Sequence, residues 1–153
     1  MSRKMASGDS SQLGTKGQFM GDAKKLKHLE LILGIVNRLS VNSFLLKGWS
    51  VMLVTALFAL SASDRNPSFV FLAYIPAFVF WGLDGYFLWQ ERLYRALYNR
   101  VRKLSEEEVD FSMDTNSFKM DNDWGAATLS KTLIAFHGVL ILAIVVVMIV
   151  LIK

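Results

Sequence analysis

An all-α integral membrane protein with three transmembrane helices is the fold class that this 153-residue sequence predicts. The composition is the first reason: 53% of the residues are hydrophobic and the mean hydropathy is +0.36, whereas soluble domains are about 45–50% apolar. The second is that three apolar stretches each approach or exceed the ~20 residues that a helix needs to cross the ~30 Å hydrocarbon core. The third is that amphipathic patterns flank the first two stretches, which indicates helices that continue beyond the bilayer.

The N-terminal part changes character near residue 22. Residues 1–21 are rich in Gly, Ser, Lys and Gln and have no periodic apolar face, so we expect a disordered tail. Residues 22–48 repeat apolar side chains at spacings of three and four, which predicts an amphipathic helix with Asp22 as a suitable N-cap. The repeated positions are Leu26, Leu29, Ile32, Val36 and Leu39.

Two spans follow, at about 44–62 and 68–90, joined by the short segment SDRNP. Pro76 is expected to kink the second span because its ring removes a helix hydrogen bond and meets the preceding turn. The second span runs on without a stop signal into a basic amphipathic arm. Residues 22–104 are therefore predicted to form a long antiparallel hairpin with a stalk outside the membrane.

The remaining chain divides into a loop and a third span. Residues 105–130 contain seven acidic side chains, all before residue 124, and we expect a solvated cytoplasmic loop. Residues 131–153 are apolar on all sides, which predicts a third transmembrane helix that mostly faces lipid.

Basic residues predict the orientation. Of 17 Lys and Arg residues, eight lie at positions 1–47 and seven at 91–131. The positive-inside rule then places the N-terminus and the loop in the cytoplasm and the C-terminus outside. Four aromatic residues fall near the cytoplasmic boundary and are predicted to form an interfacial belt: Trp49, Trp81, Tyr86 and Trp89.

Counting outward from the turn near Arg65 predicts opposite charges at equal depths in the hairpin. Lys47 lies 18 residues before the turn and Asp84 lies 19 after it. The three predicted levels are Lys47–Asp84, Arg38–Glu91 and Glu30–Arg100. Depth does not determine rotation about the helix axis, so these side chains could also face apart, reach water independently or pair between subunits.

Nothing in the sequence indicates catalysis. Cysteine is absent, and the two histidines, His28 and His137, lie on different predicted helices without metal-ligand spacing. We therefore predict no catalytic residues, no metal and no cofactor. His137 is interpreted as a boundary residue with a proton relay as the alternative, and Asp84 as a structural ion-pair partner with a proton carrier as the alternative.

Two stretches resemble a known family. HLELILGIVNRLSVNSFLLKGWSV at 28–51 and FWGLDGYFLWQERLYRALYNRVR at 80–102 resemble the RipA family of octameric bacterial inner-membrane proteins. The resemblance covers about residues 24–103. It implies a bacterial cytoplasmic-membrane location and a ring-like homo-octamer, and it supplies no catalytic residues.

The sequence therefore favours a non-enzymatic homo-oligomeric membrane scaffold. Its expected partners are further copies of the chain and membrane lipids, anionic ones in particular, and no nucleic acid, because the basic residues serve topology. An oligomeric pore or channel, or a membrane effector, is the alternative.

Overall fold

Three long apolar helices make up most of the chain in this computed structural model. The structure describes residues 7–64, 66 and 68–152, except for the side chains of 7–20, 22, 151 and 152. The elements are α1 (Ser7–Asp64), α2 (Ser68–Leu72), α3 (Tyr74–Val101), 3-10 turns at Glu106–Glu108 and Asn116–Phe118, α4 (Trp124–Thr128) and α5 (Lys131–Ile152). The segments long and apolar enough to cross a membrane are Ala23–Asp64, Ser68–Val101 and Lys131–Val150. The predicted fold class is confirmed.

Helix α1 is longer than the sequence suggested. It begins at Ser7, so most of the 1–21 segment expected to be a disordered tail is helical, and only residues 1–6 lie outside the described residues. No proline precedes Pro67, so no backbone donor is missing along α1. Once a helix is nucleated, each further residue adds a hydrogen bond, and α1 extends back from its packed part in this way.

Helix α1 packs antiparallel against α2 and α3. The turn between them is closed by Asn66, whose Oδ1 accepts the Ser68 N–H at 3.0 Å and whose carbonyl accepts the Ser61 hydroxyl at 2.9 Å. The second span is interrupted at Ala73. This is where Pro76 disturbs a helix, because its ring would clash with the carbonyl of Leu72.

Two groups of buried apolar side chains hold the helices together. The span cluster joins α1, α2, α3 and α5 and consists of Val54, Val70, Ala73, Ala77 and Ile144. The stalk cluster joins α1, α3 and the segment after α3 and consists of Ile32, Leu97, Val101 and Val109. The hairpin therefore has one apolar core near its turn and another near its far end.

The segment from 102 to 130 folds back onto the hairpin instead of extending into solvent. Its Val109 and Ala127 are buried, and the Lys25 ammonium donates to the carbonyl of Leu104 at 2.5 Å. Most of its acidic side chains remain exposed, as expected. The segment packs against the hairpin because its few apolar side chains complete the stalk cluster.

Candidate functional site: a buried polar cluster joining three helices

Asp84 on α3 is fully buried, and both of its carboxylate oxygens have donors. Oδ1 accepts the Ser43 hydroxyl at 2.5 Å. Oδ2 accepts the Lys47 ammonium at 2.6 Å and lies 3.0 Å from Nε2 of His137. These contacts satisfy the carboxylate without bulk water, which is how a buried charge becomes tolerable.

Each helix brings its residue to this point for a simple geometric reason. Ser43 and Lys47 are four residues apart, so they lie one turn apart on the same face of α1. The Lys47 ammonium also donates to the Ser43 hydroxyl at 2.9 Å, which joins the two side chains. Asp84 lies opposite them on the antiparallel α3, and His137 enters from the second turn of α5. We call Ser43, Lys47, Asp84 and His137 the polar cluster.

Aromatic rings enclose the polar cluster. The His137 ring is fully buried and stacks on Trp81, with centroids 5.7 Å apart and planes 8° apart. Phe136 meets the same imidazole edge-on at 5.0 Å, and the Lys47 ammonium lies 5.9 Å from the Phe136 centroid. The Lys47 side chain is 23% exposed, so the cluster reaches the molecular surface along Lys47.

Hydrogen bonding determines the tautomer of His137. Asp84 Oδ2 is an acceptor for Lys47, so the carboxylate is ionised and Nε2 of His137 must donate to it. Nδ1 of the same ring is buried and has no hydrogen-bond partner among the described residues. With a neutral imidazole, the cluster holds one cation and one anion and is neutral overall.

The structure brings together one of the three predicted charge levels. Lys47 and Asp84 are in contact, whereas the other two acids bind neighbours within the chain. Glu91 accepts from Arg95 and from the Ser40 hydroxyl, both at 2.7 Å, and Glu30 accepts from Lys27 at 3.0 Å. The pairs Arg38–Glu91 and Glu30–Arg100 therefore do not form within one chain. Counting residues predicted only the depth of these side chains and not the direction in which they point from the helix axis.

The predicted aromatic belt is divided between two roles. Trp49 and Tyr86 are 54% and 45% exposed, as lipid-facing boundary residues would be. The other two tryptophans bind the returning segment instead. The Trp81 indole N–H donates to the carbonyl of Thr128 at 3.0 Å, and that of Trp89 to the carbonyl of Asn122 at 2.7 Å.

Ser43 and His137 are the cluster members that the sequence analysis did not place there. Ser43 had a usable signal, since it precedes Lys47 by one helical turn. His137 did not, because the irregular segment before α5 prevents depth counting from the hairpin turn. Its position near the end of the third span agrees with the first turns of α5, and the structure adds that its ring is buried against Asp84 and Trp81.

In the part of the chain that the structure describes, no group of three or more His, Asp or Glu residues is arranged to hold a metal ion. Comparison of the sequence with protein-family models, and of the chain with curated proteins and with solved structures, found no match.

Proposed function

We propose that this protein is a non-enzymatic, homo-oligomeric scaffold of the bacterial inner membrane, with eight subunits as the RipA resemblance implies. The observation that carries the proposal is an apolar stripe on the part of α1 that extends beyond the bilayer. The candidate span Ala23–Asp64 has 42 residues, about twice what the hydrocarbon core requires. Roughly its first 20 residues therefore lie outside the membrane.

This outer part of α1 has two apolar faces. One face carries Ile32 and Val36, which are buried against the hairpin partner. The other carries Leu26, Leu33 and Val41, which are 61%, 41% and 55% exposed. Leu26 and Leu33 are seven residues apart and share one side of the helix. Exposed apolar area costs about 25 cal/mol per Å² relative to burial, so a contiguous stripe in water favours association.

A second copy of the chain is the partner we propose for the stripe. Oligomers of one chain type reuse the same surface in every subunit, so a stripe present once is present on each copy. One of the predicted charge pairs that does not form within the chain also suits this arrangement. Arg100 is exposed, and we propose that it meets Glu30 of a neighbouring subunit, whose side chain is 66% exposed.

The pore alternative is less well supported by the geometry. A pore through the oligomer needs polar side chains on a surface that faces the central axis. Asp84 and His137 are fully buried inside a single chain. They contact other helices of the same chain and do not face a surface that could line a pore. We therefore place scaffolding before conduction.

Native mass spectrometry in a mild detergent tests the proposal. We expect a single oligomeric species for the wild type and a smaller one for the double variant Leu26→Gln/Leu33→Gln. Lys24→Gln is the matched control, because Lys24 is an exposed residue of the same helix segment. A wild type that is monomeric with its helical content intact would contradict oligomerisation, and an unchanged double variant would exclude the stripe as the interface.

A further inference from the structure

The unpartnered ring nitrogen of His137 has a consequence beyond scaffolding. We propose that the polar cluster is a proton-binding site, in which His137 takes up one proton at Nδ1 while Asp84 remains ionised. The proton comes from water, and the cluster changes from neutral to a net charge of +1. This inference does not depend on oligomerisation.

Three features of the geometry support it. The Asp84 carboxylate lies against Nε2 at 3.0 Å, so it assigns the Nε2–H tautomer and leaves the lone pair on Nδ1. Nδ1 is fully buried and no protein donor occupies it among the described residues. A buried polar atom without a partner is unusual in a packed structure and requires an explanation, and titration of imidazole occurs in the physiological pH range.

Lys47 and His137 compete for the same oxygen of Asp84, so protonation of His137 should move Lys47. Lys47 and His137 both contact Oδ2 of Asp84, while Oδ1 is occupied by Ser43. After proton uptake two cations share that oxygen and repel each other. Lys47 is the more mobile of the two because its side chain is 23% exposed, whereas His137 is 0% exposed and stacked on Trp81. Acidification should therefore displace Lys47 towards the aqueous boundary.

The charged groups that face the ring are few. Asp84 faces it from α3, and Lys47 reaches the same carboxylate oxygen from α1. At the end of α4, Thr128 contributes an uncharged carbonyl that binds Trp81. No other charged side chain of the described residues is bonded to these groups. The net charge at the ring therefore depends on Lys47 and Asp84.

Nitrogen-15 NMR of histidine-labelled protein in lipid nanodiscs tests the assignment. The chain has only two histidines, so the signals that remain in the His28→Gln variant belong to His137. In every other variant, His28 is retained and serves as the internal reference. In the wild type we expect Nε2 to stay protonated from pH 8 to pH 5, and the Nδ1 signal to carry the change. A neutral ring protonated at Nδ1 would overturn the proposal.

The Lys47→Met variant provides a second test of the same proposal. Removing the competing cation should move proton uptake at Nδ1 to higher pH, because a nearby like charge disfavours the charged form of the ring. The variant should also become more stable as pH falls, since its folded state binds the proton in place of the lost ammonium. Lys47→Met/His137→Gln is the control and should lose that pH dependence. Equal Nδ1 behaviour in the wild type and Lys47→Met at every pH would refute the proposal.

Discussion

Asp84 connects three helices through one carboxylate. The loss of stability when Asp84 is substituted therefore depends on which of its partners would remain without a hydrogen bond or a counter-charge. Asp84→Asn removes the anion and leaves the Lys47 cation beside a neutral amide. Lys47→Met leaves the anion with Ser43 and His137 only. A broken buried pair costs 3–5 kcal/mol in typical cases. We expect about 1–3 kcal/mol for each single variant here, because Lys47 is partly exposed and has access to water.

The double variant Asp84→Asn/Lys47→Met separates pairing from independent effects. It removes both charges together, so its loss of stability should be smaller than the sum of the single losses. The measurement is thermal unfolding in detergent of the wild type, both single variants and the double variant, all at pH 8. Strictly additive losses would show that the two side chains do not interact.

At the scale of residues, the sequence predicted two of the four members of the polar cluster, Lys47 and Asp84. Counting residues from the turn placed Lys47 and Asp84 at one depth, and the structure has them in contact. The same counting failed for Glu30 and Glu91. Their charged partners, Lys27 and Arg95, lie on their own helices, and the α1 residue that contacts Glu91 is Ser40, two residues from the counted Arg38. Depth follows from chain length and helical rise, but rotation and rotamer depend on packing that no residue count contains.

At the scale of elements, Gly85 determines how closely α4 approaches α3. A Cβ built on Gly85 would collide with the side chain and backbone of Thr128, whereas one built on Gly82 would meet nothing within 4 Å. Gly85→Ala should therefore displace α4 and weaken the Trp81 hydrogen bond to Thr128. Overpacking of this kind costs typically 1–3 kcal/mol.

Gly82→Ala is the matched control for this prediction, since it makes the same chemical change one turn earlier on the same helix. It should be neutral or slightly stabilising, because alanine favours a helix over glycine. Hydrogen exchange of residues 124–128, followed by mass spectrometry, is the measurement. Faster exchange in Gly85→Ala alone is the expected result, and equal exchange in both variants would contradict it.

The elements themselves were predictable to different degrees. Span number, the hairpin and the disturbance before Pro76 follow from apolar length and proline chemistry, which are local properties. The folding back of residues 102–130 was not predictable, because it depends on two indole donors reaching the carbonyls of Asn122 and Thr128. Those contacts join positions that are 33 and 47 residues apart in the chain. The spacing of apolar residues along the sequence does not predict contacts of this kind.

At the scale of the whole molecule, the antiparallel hairpin places the N-terminal arm of α1 and the returning segment on the same side of the bilayer. Most basic residues of the chain lie in or beside these two parts: eight Lys and Arg at positions 1–47 and seven at 91–131. The seven acidic side chains of residues 105–130 contribute little to insertion, because topology follows Lys and Arg rather than net charge. We therefore predict that this shared side faces the cytoplasm.

Single cysteines report this orientation cleanly because the chain has none of its own. Ser63 and Ser117 are both exposed, on the turn side and on the returning segment respectively, and serine to cysteine changes one atom. In intact bacterial cells, Ser63→Cys should react with a membrane-impermeant thiol reagent and Ser117→Cys should react only after the cells are permeabilised. The unmodified chain provides the background. Reaction of Ser117→Cys but not Ser63→Cys in intact cells would reverse the topology. The α1 stripe of Leu26, Leu33 and Val41 would then face the other compartment, and so would any subunit contact it makes.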